Sequence, residues 1–130
     1  MKGLDTNVLI RLLFADDPEQ TARGRAFVAD RPAGEPLFVN RIVICELVWT
    51  LRRGFRFDRT QIADVVDRLL KSRVLEIEDY DALGFALYLY QTSGADLADC
   101  LLGVTNGLLG CDRTATFDRR AAELDEFELI

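Results

Sequence analysis

Apolar residues follow two different spacings along this chain, and the two spacings alternate from one end to the other. Short apolar or β-branched segments predict strands, and longer segments with apolar positions three and four residues apart predict helices. Strands are expected at 2–4, 36–39, 74–77, 114–117 and 127–130. Helices are expected at 8–14, 18–30, 41–53, 62–71 and 82–91, between Gly94 and Gly110, and at 119–124.

Residues that cap helices support these boundaries. Asp17 and Asp58 each stand three residues before a glutamine, which is the spacing of a capping box, and Pro18 follows Asp17 at a position that suits the start of a helix. Asn40 and Asp79 precede two further helices, where a side-chain oxygen can accept a hydrogen bond from the first turn.

The alternation of strands and helices predicts the fold class. Strands joined by helical connections form a parallel sheet with helices on both faces. We therefore expect one α/β domain over residues 1–130, a three-layer sandwich with a mostly parallel central sheet of four to five short strands. The sequence contains no repeat, low-complexity tract or linker that would divide it.

Composition and charge limit the partners and the cellular compartment that we expect for the protein. The chain has 22 acidic and 16 basic residues and a net charge of −6, which argues against a broad basic footprint for nucleic acid but not against a nuclease with a local acidic site. No apolar run approaches the ~20 residues that span a bilayer, and an acid at position 5 is too early for a signal peptide. Three cysteines, two of them in apolar runs, indicate free thiols, so we expect a cytoplasmic protein without membrane association.

The segment that begins the helix after Gly94 carries the strongest sign of chemistry. Asp99 is surrounded by apolar neighbours, and a carboxylate desolvated there costs several kcal/mol unless it is paired, protonated or bound to a metal. Asp96, one turn earlier, is either a helix cap or a further ligand. The chain has no histidine, so a site built from carboxylates would suit Mg²⁺ or Mn²⁺.

Three other acids are expected near the same edge of the sheet. Asp5 and Asp118 follow the first and fourth predicted strands, and the carboxyl ends of parallel strands share one edge, where ligands bind. Glu46 lies in an otherwise apolar helix that starts near that edge. Taken singly, Asp5 or Asp118 can be a helix cap, and Glu46 can be a solvated residue on its helix. Taken together, the acids predict a divalent-metal site.

Four short segments carry these acids, and in this order they resemble the motifs of one family. They are DTNVL at 5–9, CEL at 45–47, GADLADCL at 94–101 and ATFD at 115–118. Over essentially the whole chain they are similar to PIN-domain nucleases, specifically the VapC-type toxins of toxin–antitoxin pairs. Leu97 and Cys100 depart from the phenylalanine and alanine that are more usual there, and both changes leave the acids in place.

The resemblance implies an activity and a set of site residues. The activity is Mg²⁺- or Mn²⁺-dependent endonucleolytic cleavage of RNA. The acidic centre, catalytic and metal-binding, would consist of Asp5, Glu46, Asp99 and Asp118, with Asp96 as an additional metal ligand at the rim. Three polar side chains would orient the carboxylates or a water: Thr6, Asn7 and Thr116.

The resemblance also implies partners: an RNA substrate, a cognate VapB-type antitoxin that covers the site, and a second copy in a homodimer. Aromatic residues that are candidates for these interfaces, with core packing as the alternative, are Trp49, Phe55, Phe57, Tyr88 and Tyr90. Arginines that flank the acidic segments, and either hold phosphates or are simply solvated, are Arg11, Arg41, Arg52, Arg53, Arg113, Arg119 and Arg120.

Other functions fit the sequence less well. A phosphoacceptor domain would need paired acids after the first strand and a late lysine, whereas Thr6 and Asn7 follow Asp5 and no lysine follows Lys71. A nuclease acting on DNA would need insertions to hold a duplex. The main alternative is a catalytically silent module of the same fold that binds another protein.

Overall fold

Helices and strands alternate along the chain as the apolar spacing predicts. A computed structural model describes all residues, 1–130. The elements are β1 (Lys2–Gly3), α1 (Thr6–Phe14), α2 (Pro18–Ala29), β2 (Leu37–Val39), α3 (Arg41–Arg53), α4 (Arg59–Leu70), β3 (Leu75–Ile77), α5 (Tyr80–Thr92), α6 (Leu97–Leu108), β4 (Thr114–Thr116), a short 3-10 helix (Ala121–Glu123) and β5 (Phe127–Leu129).

All five strands pair in parallel, which confirms the predicted α/β class. They form a three-stranded sheet in the order β1–β2–β3 and a separate pair, β4–β5, rather than one continuous sheet. In the larger sheet Leu37 lies opposite Leu75 and Val39 opposite Ile77. The strands are two or three residues long, so each ladder has few hydrogen bonds and packing against helices must supply most of the stability.

One continuous cluster of 28 buried apolar residues forms the core, and it includes residues from β2 and from β5. Leu37 and Val39 point into it from β2, and Leu47 and Leu51 from α3, each at most 1 % exposed. The same helix leaves Ile42 64 % and Trp49 62 % exposed, so its apolar sequence serves the core on one face only. None of the six α-helices has the length and hydropathy needed to cross a membrane.

Three of the four predicted helix caps are present. The side chains of Asp17, Asn40 and Asp58 accept hydrogen bonds from the first turns of α2, α3 and α4, and Asp58 also completes a reciprocal capping box with Gln61. The prediction for Asp79 is wrong: it precedes α5 in a left-handed conformation (φ 51°), makes no capping bond, and its carboxylate pairs with Arg41.

Candidate active site

Asp5 lies where β1 ends and α1 begins. The backbone N–H of Leu4 donates to the carbonyl of Phe38 (2.9 Å), which continues the β1–β2 pairing up to Asp5. The side chain of Asp5 is exposed and caps α1, accepting a bond from the N–H of Val8 at Oδ1 (2.9 Å). Capping occupies one carboxylate oxygen and leaves the other facing solvent, so the cap and site interpretations of Asp5 are compatible.

Glu46 is joined to the first turn of α1 by a hydrogen bond. The hydroxyl of Thr6 donates to Oε2 of Glu46 over 2.5 Å, across 40 residues of sequence. Thr6 is 8 % exposed, whereas Glu46 lies on the exposed face of α3. The sequence suggested a desolvated glutamate; the structure instead has an exposed carboxylate oriented by a buried hydroxyl next to Asp5.

Asp99 lies in the first turn of α6 and is half-buried. Burial raises the pKa of its carboxyl group above the usual value, and the negative charges of Asp118 and Asp96 raise this pKa further. The electrostatic effect requires Asp118 and Asp96 each to lie within reach of Asp99. Asp99 thus sits in a local negative potential of the kind that a cation relieves.

Asp118 follows β4 in a tight turn. Its Oδ1 accepts a bond from the N–H of Arg120 (2.8 Å), and its own N–H donates to the hydroxyl of Thr116 (3.0 Å). The predicted helix at 119–124 is reduced to the 3-10 turn at Ala121–Glu123. Thr116 therefore fixes the backbone from which Asp118 projects.

Asp96 stands at the position of a cap for α6 but makes no capping hydrogen bond. Its Oδ1 instead accepts a bond from Nη1 of Arg52 (2.8 Å), with both side chains more than half exposed. An exposed ion pair of this kind contributes only about 0–1 kcal/mol. Its main effect is to join the end of α3, which carries Glu46, to the start of α6, which carries Asp99.

Two groupings therefore emerge from the predicted site residues. Thr6 hydrogen-bonds Glu46 beside Asp5, and Asp99 lies near Asp118 and Asp96. No three acidic or thiol side chains are gathered closely enough to be a ready-made set of metal ligands. Mutual repulsion disfavours such a set among uncompensated carboxylates. The donors are all oxygens in a negative potential, and that chemistry fits a hard divalent cation.

The flanking arginines are mostly engaged in pairs. Arg11 binds Asp16, Arg41 binds Glu78 and Asp79, and Arg52 binds Asp96. Arg53 lies over the ring of Trp49, 5.8 Å from its centroid. Three are exposed and form no ion pair: Arg113, Arg119 and Arg120. These three, on the segments around β4, are the free cations closest in sequence to Asp118.

The candidate interface aromatics divide into two groups. Trp49 and Tyr88 are 62 % and 58 % exposed. Phe55 and Phe57 are half-buried against the ring of Phe14, with centroids 5.1 Å and 5.6 Å away, and Tyr90 is 4 % exposed. Only Trp49 and Tyr88 are available to a partner.

Arg59 was not predicted, although it supports the start of α6. Its guanidinium donates to the carbonyls of Tyr90, Ser93 and Ala95, the segment directly before Asp96. A basic residue in the first turn of a helix opposes the helix dipole, and Arg59 is the first residue of α4. That unfavourable position was the one signal in the sequence that Arg59 has a tertiary role.

Comparison with known proteins identifies the family of the chain. The family model described as the PIN domain matches residues 3–127. A VapC ribonuclease of Aquifex aeolicus (strain VF5) is 32 % identical to the chain over 124 residues, which cover 95 % of this chain and 92 % of the relative. The matched region includes Asp5, Glu46, Asp99 and Asp118. The chain therefore belongs to the PIN-domain family and is a VapC-like member of it.

Proposed function

We propose that this protein is a metal-dependent endoribonuclease and the toxin of a toxin–antitoxin pair. Its VapC relative is named a ribonuclease. The observation that carries the proposal is the approach of Asp99, on the first turn of α6, to Asp118, at the end of β4. Burial and the charge of Asp118 together raise the pKa of Asp99, and a carboxyl group perturbed in this way by burial and a specific charged neighbour is a candidate for a functional site.

The acids would divide the chemistry between them. Asp5 and Asp99 would hold Mg²⁺ or Mn²⁺, with Glu46, Asp118 and Asp96 completing the set directly or through water. A divalent cation supplies charge neutralisation at the phosphate and lowers the pKa of a bound water. Glu46 or Asp118 would take the proton from the attacking water. Water then adds to phosphorus and one P–O bond breaks, leaving a phosphate monoester and a hydroxyl.

Thr6 would keep Glu46 in position for this task. Its hydroxyl donates to one oxygen of Glu46, which leaves the other oxygen free for a cation or a water. Thr116 would act similarly on Asp118 by fixing its backbone. Asn7 is exposed beside Asp5 and would hydrogen-bond a phosphate oxygen or a water at the same place.

The partners follow from the same proposal. A VapB-type antitoxin would cover the acidic site, and a chain of net charge −6 suits a basic segment of such a partner. The protein would act in the cytoplasm as a homodimer, with exposed Trp49 and Tyr88 as candidate contacts. Sedimentation tests the dimer: we expect the mass of two chains, and a monomer at micromolar concentration would contradict it.

The nuclease proposal is tested by cleavage of single-stranded RNA with Mg²⁺ or Mn²⁺, and with EDTA. We expect cleavage only with metal, and loss of at least about a hundredfold in the Asp99→Asn variant. Asp64→Asn is the matched control, because Asp64 is an exposed acid on α4 outside the proposed site. Full activity of Asp99→Asn, or undiminished cleavage in EDTA, would refute the proposal.

A further inference from the structure

A cleft of about 580 Å³ opens beside Asp5, between α1 and α2. We call it the α1–α2 cleft and define it by six of its lining residues: Asp5, Asn7, Arg11, Gln20, Arg23 and Phe27. The volume lies within the ~300–1,000 Å³ typical of small-molecule sites. Nothing in the nuclease chemistry proposed above uses the cleft beyond Asp5 and Asn7.

One face of each helix lines the cleft. Asn7 and Arg11 are four residues apart on α1, and Gln20, Arg23 and Phe27 recur at intervals of three and four on α2. Spacing of this kind places each set on a single side of its helix. The cleft therefore presents two polar, basic helix faces to whatever enters from the direction of Asp5.

The cleft is basic although the protein is acidic. Arg11 and Arg23 line it, and the ammonium group of Lys2 lies 5.0 Å from the ring centroid of Phe27, which also lines it. Asp5 is the one acidic residue in the lining. In a chain of net charge −6, this is a local region that attracts anions next to a proposed catalytic acid.

The guanidinium of Arg11 is held in a fixed orientation. It binds both carboxylate oxygens of Asp16 (3.1 Å and 3.2 Å), and its Nε donates to Oε1 of Gln20 (2.8 Å). Arg23, one turn further along α2 from Gln20, is exposed and forms no ion pair. Arg23 is therefore the free cation of the cleft, whereas Asp16 offsets the charge of Arg11, whose orientation is fixed and whose Nη2 alone forms no hydrogen bond.

We propose that the α1–α2 cleft binds the nucleotide next to the scissile bond, with its phosphate at Arg23 and Arg11. The inference rests on the proposed function, because the ligand is a segment of the RNA substrate. A strand cut at Asp5 must run away from the acids, and the cleft continues directly from Asp5. Guanidinium groups match phosphate oxygens in geometry and charge, and they would offset the repulsion of RNA by the acidic surface.

A single pair of arginines on α2 gives a matched test. Arg23 lines the cleft, whereas Arg25 is equally exposed on the same helix, forms no ion pair and lies outside the lining. Arg23→Gln and Arg25→Gln remove the same charge. Each is made in an Asp99→Asn background, and binding of a short fluorescein-labelled single-stranded RNA is measured in Mg²⁺ over a series of salt concentrations.

Loss of one phosphate contact has a defined signature. We expect Arg23→Gln to weaken RNA binding roughly three- to tenfold and to reduce the slope of log affinity against log salt by about 0.7. Arg25→Gln should keep both the affinity and the slope of the background chain. Equal behaviour of the two variants, whether both weaken binding or neither does, would overturn the assignment of the cleft.

RNA cleavage is also measured with the native chain, which keeps Asp99. The result distinguishes failure of the cleft assignment from failure of the nuclease proposal on which it rests. If the native chain cleaves RNA and the two arginine variants bind RNA alike, the cleft assignment fails and the nuclease proposal survives. If RNA is bound with the expected deficit in Arg23→Gln but is never cleaved, the cleft stands as a binding site for an RNA phosphate, whereas the nuclease proposal and the placement of the cleft next to a scissile bond both fail. A native chain that neither binds nor cleaves RNA overturns both.

Discussion

The hydroxyl of Thr6 donates a 2.5 Å hydrogen bond to the carboxylate of Glu46 and so connects the end of β1 to the middle of α3. Thr6 is buried and directly follows Asp5, so its position is set by the same turn that places Asp5. Glu46 is exposed, and its side chain forms no other hydrogen bond. The bond therefore determines where one candidate catalytic acid lies relative to another.

Thr6→Val should lower RNA cleavage by roughly 10–100-fold, as expected for loss of a group that orients a ligand. Valine keeps the branched shape of threonine at this buried position, so the melting temperature should change little. Thr6→Ser keeps the hydroxyl and is the control, with activity close to that of the native chain. Equal activity of the valine and serine variants would show that the hydrogen bond has no role in catalysis.

Asp99→Asn should stabilise the metal-free protein at neutral pH. The folded state raises the pKa of Asp99, so it binds a proton more tightly than the unfolded chain does. The free energy of unfolding therefore falls as pH rises from the ordinary aspartate value through the raised one. Asparagine does not ionise, so the variant does not lose stability in this way as pH rises. Its melting temperature should therefore exceed that of the native chain at neutral pH, and the difference should shrink at acidic pH.

Melting of the Asp99→Asn variant at several pH values needs a control that removes a carboxylate elsewhere. Asp64→Asn removes an exposed carboxylate from α4 and is the control, with a melting temperature close to that of the native chain. A metal-free Asp99→Asn variant that melts at or below the native temperature at every pH would mean that Asp99 is not under the electrostatic stress inferred for it.

Gly103 should not tolerate a side chain. A Cβ atom there would lie 2.6 Å from Cε2 of Phe127, so α6, which carries Asp99, packs directly on β5, the partner of β4. We expect Gly103→Ala to lower the free energy of unfolding by about 1–3 kcal/mol. Gly107→Ala, one turn later with no atom within 4 Å of its Cβ, should be neutral or raise it by up to about 1 kcal/mol. Urea unfolding of both variants measures the difference, and equal effects would contradict the close packing.

The three cysteines should differ sharply in reactivity. Burial raises the pKa of Cys100 to about 11, and it also raises the pKa of Cys45, whereas Cys111 is exposed. At pH 8 a thiol with a pKa of about 11 is ionised to about one part in a thousand, so it reacts slowly. A thiol reagent should modify Cys111 alone in the native chain, and Cys111→Ser should remove that reaction. Rapid modification of Cys100 in the folded protein would contradict its burial.

The parts of the fold that depend on neighbours in sequence were predictable. Asp58 and Asn40 cap their helices because capping involves residues two or three positions away, and the order of strands and helices follows from local spacing. Asp79 shows the limit of such reasoning: its carboxylate pairs with Arg41, 38 residues away, and makes no capping bond. The division of five strands into two sheets likewise depends on packing that no local pattern encodes.

The candidate site residues were named from the sequence, whereas their geometry could not be. Asp5 and Asp118 were expected to share one edge of a single parallel sheet, whereas β1 and β4 lie in separate sheets. Glu46 and Asp99 were identified from their apolar surroundings and the motifs. The apolar sequence around Glu46 favoured a buried carboxylate over the solvated alternative. Glu46 is nevertheless exposed, since α3 also leaves Ile42 and Trp49 outside the core. The pair between Arg52 and Asp96 was also not predictable, since it joins side chains 44 residues apart.

The central claim is that Asp5, Glu46, Asp99 and Asp118 jointly bind a divalent cation, and a calorimetric titration with Mn²⁺ tests it most directly. We predict saturable binding to the native chain and to Asp64→Asn, with affinity reduced at least tenfold in Asp5→Asn and in Asp99→Asn. Saturation should also raise the melting temperature, since a ligand at a hundred times its dissociation constant stabilises by about 2.7 kcal/mol. No binding to the native chain, or equal binding to all four proteins, would contradict the account.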